Sequence, residues 1–87
     1  MELIKKMNEV NETLRCIRDE ISYHKLKLDS LHHTGKFIDE CVGIADEHKN
    51  NILESIGLKM DFHNHKITGL VDAREELMKK YNIPEYD

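Results

Sequence analysis

From Leu3 to Leu31 the apolar residues recur at alternating steps of four and three, and no glycine or proline occurs before Gly35. Leu3, Met7, Val10, Leu14, Ile17, Ile21, Leu28 and Leu31 fall on one seam, which only His24 breaks. This is a heptad repeat with its first and fourth positions filled. It predicts one helix over about residues 2–33, on the order of 45 Å long at ~1.5 Å per residue. Such a helix needs a partner along its whole length.

Size makes the demand sharper. A chain of 87 residues is a single domain, and one this short buries little core unless disulfides, a metal or other subunits help. The formal charge of −4, with 34% charged residues, argues against a general attraction to nucleic-acid backbones or anionic membranes. Cys16 lies off the seam and Cys41 among apolar neighbours, so both read as packing thiols in a reducing compartment, with a disulfide unsupported. The segment Met1-Glu2-Leu3-Ile4-Lys5-Lys6 lacks the apolar stretch of a signal peptide, and nothing is long and apolar enough to cross a bilayer. The expected location is cytoplasmic. Abundant Ile, Lys, Asn and Glu without Trp points, by association only, to a bacterial or phage source.

The chain reads as three helical stretches. Gly35, after His32-His33-Thr34, closes the first. The second, 36–56, places Ile38, Cys41, Val42, Ala45, His48, Ile52, Leu53 and Ile56 on one face. Gly57 ends it in a Schellman turn, with Leu58 folding back on Leu53. A connector over 57–69 follows, and then a third helix over 70–82, opened by Thr68 or by an Asp72/Glu75 capping box and closed by Pro84. A loose tail occupies 83–87. Ile56, Met60, His63, Ile67, Leu70, Leu77 and Tyr81 also fit one helical seam, which would merge the last two helices into one. The cost of about 1 kcal/mol for each glycine inside a helix favours the broken version.

A second helix of about twenty residues covers roughly 30 Å of the first. An apolar stripe near Leu3, Ile4, Met7 and Val10 is then left over, and a second copy of the chain is the economical cover. In that assembly His24 sets register or subunit number. Beside its symmetry mate, its charged form is penalised by burial and like charge, so the assembly is expected to loosen as pH falls below about 6.5.

Two polar segments precede the expected helix starts and are the candidates for ligand chemistry: His32, His33, Thr34, Gly35 and Lys36, then His65, Lys66 and Thr68. Free N–H groups at a helix start favour an anion or phosphate. Lys25, Lys27 and Arg74 are possible neighbours in a basic inter-subunit pocket, and Tyr23, Phe62 or Tyr81 offer faces to a base. Thr34-Gly35-Lys36 is not a P-loop, because Ser30 stands where the first glycine belongs and no strand precedes it. In size and class the chain is similar to small helical phage proteins that sequester signalling nucleotides, without a shared motif.

No metal site follows from the histidines. Glu20/His24 and Asp61/His65 each lie one turn apart, with no second His-rich element to complete a ligand set. No nucleophile with a local base and no acid–base pair of carboxylates can be assembled, and the last helix mixes Asp72, Glu75 and Glu76 with Arg74, Lys79 and Lys80, unlike a DNA-recognition helix.

The expected protein is thus an all-α, elongated helical hairpin with a short third helix and coiled-coil-like packing, self-associating and non-catalytic. It needs no cofactor and does not bind nucleic acid or membrane. Its leading role is regulatory or inhibitory protein–protein interaction through the seam and Leu58-Met60-Phe62. The alternative is sequestration of a phosphate-bearing small molecule such as a nucleotide second messenger.

Overall fold

The computed structural model describes residues 2–83, with side chains from Ile4 onward. It is a hairpin of two long helices, α1 (Glu2–Glu40) and α2 (Asp46–Lys80), with principal extents of 65 × 19 × 14 Å. The elongated all-α hairpin expected from the heptads is the observed fold, and among the described residues there is no strand.

Within α1, the buried and half-buried residues are Met7, Val10, Leu14, Ile17, Ile21, His24, Leu28, Leu31, Gly35 and Ile38, the expected seam extended by two positions. The side chain of Leu3 lies outside the described residues. The seam does not stop at His33. Gly35 is a mid-helix residue facing α2, and a Cβ built on it would sit 3.7 Å from Ile56 Cγ2 and 3.9 Å from Leu53 Cδ2. The chain reverses instead at 41–45, where Gly43 takes φ +100 and Val42 is 96% exposed. Cys41, Val42 and Ala45 therefore belong to the turn and not to a second helix.

The second correction concerns α2. The expected break at Gly57, the connector over 57–69 and the separate third helix are replaced by one continuous helix of 35 residues. Its inner face is the alternative seam, with Lys49, Leu53, Ile56, Met60, His63, Ile67, Leu70, Arg74, Leu77 and Tyr81 buried or half-buried, while His48 and Ile52 are exposed. The energetics explain the outcome. Glycine costs about 1 kcal/mol at Gly57 and again at Gly69, but each large apolar side chain half-buried in the seam returns about half of the ~1.5–3 kcal/mol of full burial, and Met60, Ile67, Leu70 and Leu77 together exceed the cost. Continuity across 57–69 delivers Met60, Ile67 and the residues beyond them in register with α1, so the seam outweighs the glycines.

The helix ends follow local chemistry. Asp46 and Glu47 lie in the first turn of α2 and Lys79 and Lys80 in its last, each matching the helix dipole. A Schellman turn does occur, at the far end. Ile83 N donates to Met78 O at 2.8 Å and Asn82 N to Lys79 O at 3.3 Å, with Asn82 at φ 52. Asp72, Glu75 and Thr68 are helix-interior residues and cap nothing. Pro84 and the tail after Ile83 lie outside the described residues.

Helix α1 has no basic residue in its last turn, and α2 supplies one. Lys49 Nζ reaches across the reversal to donate to the Asp39 carbonyl at 3.0 Å, one of the acceptors that a helix end leaves unpaired. Lys49→Met is expected to lower stability by about 0.5–1 kcal/mol in thermal unfolding, whereas Lys59→Met, at an exposed position, leaves the midpoint unchanged.

Because α2 runs the length of α1, the stripe expected to require a second copy is covered within the chain: Val10 is 5% exposed and Met7 half-buried. Ile4 remains outside at 67%. Cys16 and Ile38, at the mouth of the turn, are separated by about 33 Å of helix at ~1.5 Å per residue, so Cys16 and Cys41 are both free and too distant to pair within one chain. No helix among the described residues is long and apolar enough to cross a membrane.

Candidate functional site

Among the described residues His24, 7% exposed, is the buried polar residue, and its partner comes from α2. His24 Nδ1 and His63 Nδ1 are 2.7 Å apart, so one ring donates its N–H and the other accepts. The pair satisfies inside one chain the role expected of a symmetry mate. His63 was missed as that partner because the two seams had not been joined. Once the reversal is placed at Gly43, the two histidines stand almost equally far from it on either side. On its other side, His24 Nε2 lies 3.9 Å from Glu20 Oε2. The proton affinity of His63 is lowered from the usual histidine value, first by desolvation, then by the neighbouring His24, then by the positive charge of Lys27. Among the described residues no group of three or more metal-ligating side chains comes together.

Aromatic rings flank the pair from both helices. Tyr23 meets His24 edge-on at 5.2 Å between centroids, and Phe62 does so at 6.5 Å. Both rings remain half in solvent, at 50% and 54% exposure, and each carries an ammonium group over it, Lys27 Nζ at 5.6 Å from Tyr23 and Lys66 Nζ at 5.5 Å from Phe62. The result is a patch of two aromatic faces and two cations spanning the helices. Leu26 and Leu58 lie exposed farther out. Of the expected contact trio, Leu58 and Phe62 face solvent, whereas Met60 is half-buried in the seam.

The expected ligand residues take different places. His32, Gly35 and Lys36 line one groove of about 320 Å³ with Asp39, Leu53, Ile56 and Met60, where the missing side chains of Gly35 and Gly57 leave the helices incompletely filled. His33 points outward to Asp29, at 3.5 Å, and Thr34 is exposed. In the other segment, Lys66 covers Phe62, Thr68 Oγ1 donates to the Asn64 carbonyl of its own helix at 3.1 Å, and His65 is exposed. Neither segment begins a helix, so their backbone N–H groups are engaged in helical bonds and the anion argument from free N–H groups lapses there. The pairing of His24 with His63 sets residues 65–68 opposite about residues 19–22, some 15 Å along the hairpin from His32 at ~1.5 Å per residue. Within one chain the two segments do not converge.

The open end holds a cluster that the pattern did not reveal as one. Arg15, Arg18 and Arg74 line a groove with Asn11, Leu14, Met78 and Ile83. Arg74 occupies a seam position, and its Nε is shielded from solvent without a hydrogen-bond partner. An arginine between Leu70 and Leu77 on the seam is the signal that marks it. Comparisons of the chain with protein-family models, with curated proteins and with solved structures find no match.

Proposed function

We propose that the protein is a non-catalytic helical binding module that works by self-association, its first partner being a second copy that packs helices against the Tyr23/Phe62 flank of the hairpin. The observation that carries this reading is the thinness of the core. Val10, Ile21 and Ile56 are the only buried hydrophobic residues among those described, and no side chain is fully closed off. The accessible surface is 7151 Å², against about 5,400 Å² for a compact monomer of this mass. The excess on each protomer is about twice the ~800 Å² per partner that a standard dimer interface buries, so the surface is ample for one. Exposed Tyr23 and Phe62, side by side on that flank, supply the large aromatic anchors such an interface uses. A regulatory role through this surface, in a reducing compartment suited to two free thiols, completes the reading.

Light scattering coupled to size exclusion tests it. The wild-type chain is expected at twice the 10.3 kDa protomer mass or more, and Tyr23→Ser combined with Phe62→Ser is expected to return it to one protomer with helicity retained. A wild-type monomer at tens of micromolar, or an unchanged mass in the double variant, would overturn the assignment.

A further inference from the structure

We propose that the open end of the hairpin is an oxyanion site, formed by Arg15 and Arg18 of α1 and Arg74 of α2, for a ligand bearing a phosphate group. It shares no residue with the Tyr23/Phe62 flank and does not depend on self-association. Three guanidinium-bearing residues line one groove of about 360 Å³ on a chain whose net charge is −4. Like charges gathered in one place repel unless an anion joins them. The partners that Arg15 and Arg18 have are slight: Glu12 at 3.4 Å and Asp19 at 3.8 Å, on their own helix, with all four side chains 62–70% exposed. Arg74 has no ion pair among the described residues, and its Nε hydrogen is shielded without an acceptor. A buried donor left unpaired is costly, so its position next to two further arginines is informative.

Arg74 lays its stem along the seam as a snorkelling arginine does, and what packing leaves unexplained is the Nε hydrogen, held inside without an acceptor. Leu14, Met78 and Ile83 line the same groove and give the arginines an apolar neighbour on one side. The Asn11 amide adds a neutral donor at the rim. A tetrahedral dianion offers acceptors in several directions at once and matches the planar fork of a guanidinium, which an ammonium group does not.

The test is an arginine side-chain NMR titration of the full chain with inorganic phosphate at constant ionic strength. A saturable shift of the Arg74 Nε–H signal is expected, and binding followed on the Arg15 and Arg18 Nε–H signals is weakened at least tenfold in Arg74→Gln and several-fold in Arg74→Lys. Arg15→Gln with Arg18→Gln, at exposed positions that leave folding intact, must weaken it as well. A shift reproduced by sodium chloride, a response that never saturates, or undiminished binding in these variants overturns the proposal. So does a moved Arg74 signal before any phosphate is added when Glu85 and Asp87 are neutralised, because the chain's own carboxylates then supply the acceptor.

Discussion

Alanine at Gly35, Gly57 and Gly69 together is expected to raise stability by about 2–3 kcal/mol, since each glycine inside a helix costs about 0.8–1 kcal/mol relative to alanine; Gly69 adds independently, while Gly35 and Gly57 line one groove and are coupled. For a domain of this size that shifts the thermal midpoint by about 10–20 °C. None of the three meets an obstacle. Nothing lies within 4 Å of a Cβ at Gly57 or Gly69, and at Gly35 the added methyl makes ordinary contacts with Ile56 and Leu53 while partly filling the groove there. Gly43→Ala should do the reverse, losing about 1–2 kcal/mol, because φ +100 is strained for any residue with a Cβ. Calorimetry on the two variants provides the check. A triple variant no more stable than the wild type would mean that the chain does break at these glycines, and the continuous α2 would be wrong.

The second large effect is a loss of stability in mild acid. His63 resists protonation in the folded hairpin because it is desolvated and faces His24 and Lys27, while Glu20 reaches only the far nitrogen of His24. In the unfolded chain it titrates near the ordinary value of about 6.5. Above that pH both states are neutral and the full stability is present. As pH falls from there toward the lowered folded value, the unfolded chain takes up the proton first, and stability drains away. A second proton on the pair also replaces the Nδ1···Nδ1 hydrogen bond with two opposed N–H groups. Denaturant titrations should give a lower stability at pH 5 than at pH 7.5, and His24→Leu with His63→Leu should abolish the difference. His24→Leu alone leaves His63 Nδ1 without its partner, so the double variant should be the more stable of the two at neutral pH. An unaltered acid response in the double variant would remove the pair from the explanation.

These two expectations also mark where the sequence was readable. The α1 seam was legible residue by residue, because burial follows period and nothing interrupts it from Met7 to Leu31. Where the helices end was harder, since glycine signals both a turn and a tolerated defect. Gly35 and Gly57 are defects, and only Gly43, in a stretch that reads as helical, is the turn. Local propensity cannot separate these cases, as the deciding term is the energy of keeping Met60, His63 and Ile67 in register with the other helix. The same displacement of the turn hid the candidate sites. His24 was identifiable as the polar member of its seam, but its partner depends on the hairpin register, and so does the approach of Arg74 to Arg15 and Arg18.

That register also dictates an order of assembly. Lys49 and Asp39 close a loop of 10 residues, His24 and His63 one of 39. Forming the longer loop first costs about 1.2 kcal/mol more in chain entropy, whereas from a closed reversal each further layer of the seam adds only another turn to helices already held side by side. The hairpin is therefore expected to zip from Gly43 outward. Its arginine groove, at the last layers to meet, is put together only when everything nearer the reversal is in place, and it is the first part to come open.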